Sequence, residues 1–287
     1  MDSKEFGLVM AQQLLAVEDL HYGWWLTEEK PSIAALPAAQ ERYSQQLLDI
    51  IAQATADLDR PARILDVGCG TGRLLQKLLQ QGYQADAVIP APWLEARVHQ
   101  RLELLKPSYQ PSIFATTFEQ MPVSSQEYDL ILFSESYQYI DLEQGFAQIK
   151  ALLKPQGRVL ICDFFRTEHH GDGQPGDKSF GGGHDLREFY QALQTHGWQP
   201  LLDQDITEHT SPNIALLDSV LRQRIVPAAG TLDQYLMSKK PWLYRLIKWL
   251  FRKKLQKLSF KYAQGHRTAE VFSRYKNYRL LLLKGIS

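Results

Sequence analysis

Only two of the 287 residues are cysteine, and Cys69 and Cys162 lie far apart. That excludes a disulfide framework as the organising device and fits a reducing compartment such as the cytosol. No run approaches the ~18 apolar residues of a membrane span, and the N-terminus lacks the basic-then-apolar pattern of a secretory signal. Net charge is absent too. Lysine plus arginine and aspartate plus glutamate number 32 each, so no overall field points to nucleic acid or an acidic partner. No internal repeat or long low-complexity linker is present. The composition, 44% hydrophobic and 22% charged, is that of a soluble globular chain with one large domain or two small ones.

What the chain does have is the string Arg63-Ile64-Leu65-Asp66-Val67-Gly68-Cys69-Gly70-Thr71-Gly72. A short apolar run reads as a buried strand, three glycines at alternate positions turn the backbone, and Arg73-Leu74-Leu75-Gln76-Lys77-Leu78-Leu79 begins a helix. Such glycines allow a ligand to approach the main chain, and the helix start offers it unpaired N–H groups. By itself this is a nucleotide-site signal.

Further strands are expected over 82–90, 112–118, 128–133, 158–165, 198–206 and 278–283. Between them helices are expected over 93–106, 142–153 and 185–196, with Lys154-Pro155-Gln156-Gly157 stopping the second. The strict alternation predicts an α/β, doubly wound, Rossmann-like sheet, seven-stranded and mostly parallel, which binds ligands beyond the carboxyl ends of its strands. Residues 1–60 read as an N-terminal helical lid and 207–270 as a helical cap inserted before the last strand, broken at Pro212, Pro227 and Pro241. The core then comprises 61–206 and 271–287.

The string around Asp66 resembles motif I of the class I S-adenosylmethionine (SAM)-dependent methyltransferases. Leu132-Phe133-Ser134-Glu135-Ser136-Tyr137-Gln138-Tyr139-Ile140 resembles their strand-four motif, and Leu152-Leu153-Lys154-Pro155-Gln156-Gly157 their third. Glu135-Ser136 is similar to the strand-four pair of the tocopherol and sterol methyltransferases. Coclaurine N-methyltransferases also carry this glutamate, but their following Glu-His pair is Gln138-Tyr139 here. The resemblance implies SAM as cofactor, held by Asp66, Gly68, Cys69, Gly70 and Gly72, with Ser134 facing its methionine part. The usual acid that binds both ribose hydroxyls is replaced by Ile89 or Pro90, so other groups must supply roughly 3 kcal/mol of charge-assisted hydrogen bonding. Thr117 and Phe118 fall where adenine is met, the latter through its N–H, and Trp93 is a candidate to stack on the ring.

Methyl transfer from a sulfonium needs no acid for its leaving group, so the enzyme supplies alignment and, for a protonated nucleophile, a base. Glu135 is the first candidate for substrate contact, against the bland reading of a carboxylate holding main-chain N–H groups. His184, after Gly181-Gly182-Gly183, is a second candidate base, against a plain helix-start residue. Tyr22, within His21-Tyr22-Gly23-Trp24-Trp25, is similar to a tyrosine that closes over the sulfonium in this broad family, where a cation–π contact is worth ~0.5–2 kcal/mol. No metal is expected, because His169, His170, Asp172 and Asp177 match no zinc spacing. Residues 239–261 combine Trp242, Trp249 and several leucines with nine basic residues, which reads as a cap helix with a solvated basic face or a peripheral membrane contact.

The expected function is therefore methylation of a small, apolar or amphiphilic acceptor such as a prenylated ring, a lipid or a secondary metabolite. The competing readings are a non-catalytic scaffold subunit, motivated by the lost ribose acid, and an RNA or protein methyltransferase, disfavoured by the absence of an Asn/Asp-Pro-Pro-Tyr signature. Oligomeric state is not legible.

Overall fold

The computed structural model describes residues 3–19, 21–123, 126–242, 244–245, 248–250, 252 and 266–286. Two helices, α1 (Ser3–Leu15) and α2 (Leu36–Ala54), precede the sheet. Then come β1 (Arg63–Val67), α3 (Arg73–Gln80), β2 (Gln84–Val88), α4 (Pro92–Leu105), β3 (Ile113–Phe114) and β4 (Tyr128–Ser134). They are followed by α5 (Leu142–Leu152), β5 (Leu153–Arg166), α6 (Leu186–Thr195) and β6 (Trp198–Asp205). The cap contributes α7 (Thr207–Thr210), α8 (Pro212–Val220) and α9 (Val226–Lys239), and the described chain closes with α10 (Ala269–Tyr275) and β7 (Lys276–Gly285).

The seven strands form one sheet in the order β3-β2-β1-β4-β5-β7-β6. Every pair is parallel except those of β7, which runs antiparallel between β5 and β6. Successive strand side chains point to opposite faces, and β4 shows it plainly. Leu130 and Leu132 enter the core layer shared with α2, α3 and α4, whereas Ile131 and Phe133 enter the layer under α5 and α6. Both faces are covered, which is why these strands read as unbroken apolar runs. Asp141 and Asp185 start α5 and α6 by accepting main-chain N–H bonds from Gln144 and from Arg187 and Glu188.

Three expectations change. The strand expected over 112–118 contracts to Ile113–Phe114, because Phe118 begins a 3₁₀ turn and its ring stands edge-on to Phe133, 5.2 Å away. The fifth strand begins at Leu153 rather than 158, since Leu153 already pairs with Tyr128. Pro212 opens α8 and Pro241 follows the end of α9, yet Pro227 breaks nothing. It lies in the first turn of α9, where its missing N–H is no loss. A π-helical turn precedes it, with the Val226 N–H reaching back to the Leu221 carbonyl. Much of the basic stretch 239–261 lies outside the described residues. No described helix is long and apolar enough to cross a membrane.

The amino-terminal edge of the sheet is fastened by two buried carboxylates. Asp129 takes a two-pronged pair from Arg60 at 2.7 and 2.8 Å, the Arg63 N–H at 2.8 Å and the Lys154 ammonium at 3.0 Å. Although burial opposes ionisation, these partners hold its pKa down at about 2. Asp86, fully buried, accepts from the Tyr109 and Tyr128 hydroxyls, the Ser112 N–H and Arg63. Asp86→Ala strands these donors in the interior and is expected to cost about 3–5 kcal/mol, measured by urea unfolding. A loss under about 1 kcal/mol would show that the cluster is solvated.

Candidate active site

The glycine loop turns off β1 with Gly68, Gly70 and Gly72 at φ of 74°, 58° and 77°. Two of the three glycines serve the fold: a Cβ on Gly68 would stand 2.5 Å from that of Ser136, and one on Gly72 3.0 Å from a Val98 methyl. Gly70 differs, since a Cβ there would meet nothing within 4 Å among the described residues. Its main chain faces open space at the carboxyl edge. Gly72 is also the N-cap of α3 and brings no side chain to cap it. Cys69 is buried, and burial pushes its thiol well above the ordinary range.

Asp66, at the end of β1, is 2% exposed, and its Oδ2 has no hydrogen-bond partner among the described residues. Burial alone pushes its pKa up to about 7. An unpartnered buried carboxylate oxygen beside an open main-chain turn is the polar cradle that a cationic nucleotide-like cofactor such as SAM requires.

The second half of the site begins where β4 ends. Glu135 adopts φ 56°, a left-handed conformation uncommon outside glycine. Its Oε1 accepts the Tyr22 N–H at 2.6 Å and the Tyr278 hydroxyl at 2.7 Å. With its one proton so used, the Tyr278 oxygen accepts from Tyr43 at 3.2 Å, and Tyr43 lies 3.1 Å from Ser134 Oγ. Burial pushes the Glu135 pKa up to about 8 despite the opposing pull of the two donors. Both bonds converge on Oε1, so the proton belongs on Oε2. The neighbouring Ser136 hydroxyl donates to the Val67 carbonyl, which ties this end of β4 to the glycine loop.

The segment 21–25 crosses this edge as a strap. Gly23 exchanges two 2.9 Å hydrogen bonds with the buried Asn213 amide, and a Cβ on Gly23 would meet Ala39 at 2.6 Å. Trp24 donates to the Ala39 carbonyl and Trp25 to that of His209. His21 stacks on Tyr43 with centroids 4.5 Å apart, and its Nδ1 lies 2.7 Å from the Tyr22 carbonyl, so that nitrogen carries the proton. Burial lowers the His21 pKa, and the neutral ring leaves Nε2 to face Ser44 at 3.3 Å. Tyr22 therefore reaches Glu135 through its main chain, while its ring packs near Tyr278 and Phe272.

The structure does not bring His184 to Glu135 and Tyr22. Its Nε2 lies 3.0 Å from the Tyr137 carbonyl, and its ring lines an open cleft with Asp141, Glu143 and Glu188. Ile89 turns into the core, with its N–H spent on the Phe114 carbonyl, so neither is left for a ribose. The Phe118 side chain is likewise core, which leaves its main chain as the cofactor-facing part, and Thr117 beside it is exposed. Trp93 is half-buried with the Arg97 guanidinium over its ring at 5.2 Å. Asp172 and Asp177 are spent on the loop itself, on Arg274 and Tyr275 and on His170 and the Gly171 N–H.

Sequence reasoning missed Tyr43, Tyr278, Asp163 and Lys276. Asp163 is 1% exposed, accepts the Gln138 and Phe164 N–H groups at 2.9 and 2.8 Å, and burial raises its pKa to about 7. Lys276, fully buried, donates to the Gly182 carbonyl and lies over the Phe164 ring, and burial lowers its pKa to about 8. No local sequence signal marks them; strand register brings them in, Tyr278 pairing with Phe164 and Lys276 with Arg166 at the carboxyl end of β5.

The Glu135 proton has a measurable consequence. An ordinary glutamate titrates near 4.3, so between about pH 5 and 8 the folded chain holds a proton that the unfolded chain has released. Stability must then fall as pH rises through that interval. Relative to Glu135→Gln, the wild type is expected to lose on the order of 2–3 kcal/mol. Thermal melts across the interval test this, and pH profiles of identical slope would show that Glu135 is ionised throughout.

Comparison with known proteins follows the same outline. A family model described as a methyltransferase domain matches residues 39–207. An uncharacterized methyltransferase of Mycobacterium tuberculosis is 24% identical over 141 residues, 49% of this chain and 53% of that protein. The chain spans about half the length of the curated relatives it matches. Among solved structures, a putative sarcosine dimethylglycine methyltransferase from Galdieria sulphuraria superposes with a TM-score of 0.71 at 17% identity, covering 97% of both chains. Geranyl diphosphate C-methyltransferase from Streptomyces coelicolor, solved with Mg²⁺, a substrate thio-analogue and S-adenosylhomocysteine, superposes at 0.66 and 15% identity, covering 97% of this chain and 92% of that one. At these identities the likeness is one of fold.

Proposed function

We propose that the chain, which belongs to the class I SAM-dependent methyltransferase family, transfers a methyl group to a small lipophilic acceptor. The observation that carries this reading is the joining of two half-sites. The Ser136 hydroxyl on the Val67 carbonyl fixes Glu135 next to the glycine loop, so cofactor cradle and protonated carboxyl share one edge. When bound, SAM supplies an electrophilic methyl on a sulfonium with a neutral thioether leaving group. Asp66 and the main chain at Gly70 and Gly72 hold the cofactor. Glu135 binds the acceptor at its nucleophilic atom and, once it has released its own proton to solvent, as a pKa of about 8 allows, takes that atom's proton as the bond forms. Before that transfer the Tyr278 hydroxyl, itself accepting from Tyr43, steadies the ionised carboxylate.

Gly70→Val tests the reading at its first step. Its φ of 58° suits a β-branched residue poorly, and the added carbons occupy the open side of the loop. Calorimetry is expected to show loss of SAM binding, with the thermal midpoint lowered only by the strain of a β-branched residue at positive φ while the protein stays folded. Wild-type affinity in this variant would overturn the assignment.

We further infer that the acceptor is met at a membrane surface. Helix α9 buries no side chain and exposes Leu232, Tyr235 and Met237, and Trp242 and Trp249 beyond it are 68% and 75% exposed. Lys239, Lys240, Arg245, Lys248 and Arg252 accompany them, the mixture of aromatics and cations that favours an anionic interface. Sedimentation with phosphatidylserine-containing vesicles is expected to recover the protein, weakening with salt, while pure phosphatidylcholine leaves it in solution. Equal behaviour with both lipids would remove the membrane from the proposal.

A further inference from the structure

Two cavities lie one behind the other between α1 and α8, away from the glycine loop. The outer one, about 310 Å³, opens between Met10 and Leu14 on α1 and Leu221 and Ile225 of the π-helical turn. The inner one, about 130 Å³, ends at His21 and Tyr22. Ala11, Leu15 and Leu217 line both, so only these shared side chains stand between the two cavities. At its mouth Phe6, Met10 and Leu14 stand exposed four residues apart on one stripe of α1. The charged lining of the outer cavity is Asp218, paired with Arg222 at 2.9 Å, and Arg267, whose guanidinium lies over the Phe180 ring. The inner end abuts the residue whose N–H sits on Glu135.

We infer that the two cavities act as one passage holding the hydrocarbon tail of the acceptor, and that the tail is a single unbranched or prenyl chain. The inference rests on the methyltransferase reading and names its substrate class. A water-sized group takes roughly 30 Å³ in a liquid, so the outer cavity has room for about ten methylenes and the inner one for about four. A fused ring system does not fit the inner section, whereas an extended chain fits both. The outer wall is aliphatic apart from Asp218 and Arg267, whereas Asp19, His21, Gln40 and Asn213 make the inner end more polar. Depth and polarity therefore set the orientation: tail toward the α1 mouth and polar end toward Tyr22, the residue that stands between the inner cavity and Glu135.

Calorimetric titration of the native protein with 1-alkanols from six to fourteen carbons tests the passage without knowledge of the acceptor. Affinity is expected to rise about fourfold per added carbon, the equivalent of ~0.8 kcal/mol per methylene, and to level off near ten to fourteen. Ala11→Leu, which adds bulk between the two cavities from a helical position, and Leu217→Trp, which adds more, should each shorten the series while retaining the SAM affinity of the wild type. Affinity independent of chain length, or a series unchanged in both folded variants, would overturn the tail passage. Absence of SAM binding by the native protein would instead strike the methyltransferase reading. The alkanol series reports on the passage in either case.

Discussion

The organisation of this molecule depends on a single carboxyl oxygen. Glu135 Oε1 receives a main-chain N–H from the N-terminal strap and a hydroxyl from the last strand, while its own backbone closes β4. Residues 22, 135 and 278, remote in sequence, therefore share one acceptor. The left-handed backbone at Glu135 is the cost of aiming the side chain back over the sheet edge, on the order of 1 kcal/mol for a non-glycine residue. His21 completes the arrangement from behind, with its Nδ1–H on the Tyr22 carbonyl and its ring on Tyr43. A strap that lacks regular secondary structure is thereby fixed by hydrogen bonds and ring contacts at residues 21 to 25.

The sheet sorts its carboxylates by edge. At the amino end Asp129 is surrounded by cations and N–H groups and stays ionised to about pH 2. At the carboxyl end Asp66, Glu135 and Asp163 have no salt-bridge partner among the described residues and are pushed to about 7, 8 and 7 by burial. One chemical group thus serves two purposes. Ionised and paired, it clamps strands together; buried without a paired cation, it is poised to gain or lose a proton near neutral pH. The fold's parallel strands make the division possible, because all their carboxyl ends lie at one edge.

The glycine loop, the order of elements and most strand limits were readable from the chain, since buried parallel strands are apolar on both faces and glycines mark the turns. The third strand was overestimated because Phe118 looks like strand continuation, while its ring is in fact a core wedge against Phe133. Tyr278 was unreadable for the opposite reason. It opens a run of leucines and looks like core, and only the antiparallel register with Phe164 sends its hydroxyl to Glu135. Tyr43 similarly sits in the buried stripe of α2. His184 drew attention through its glycine neighbours, but one hydrogen bond to a carbonyl determines where its ring lies. Local pattern locates strands and turns, whereas polar contacts between distant segments depend on register, which no window of residues contains.

The position of β7 has a consequence for the order of events during synthesis. β6 has β7 as its sole neighbour and occupies the sheet margin, and β7 also supplies Tyr278. A ribosome that has completed β6 has therefore made a strand with no partner, which must wait about seventy residues, through the whole cap, before pairing. During that interval the cradle at Asp66 can already form, but Glu135 lacks one of its two donors. The second donor to Glu135 is thus synthesised only after the whole segment between β6 and β7 has been made.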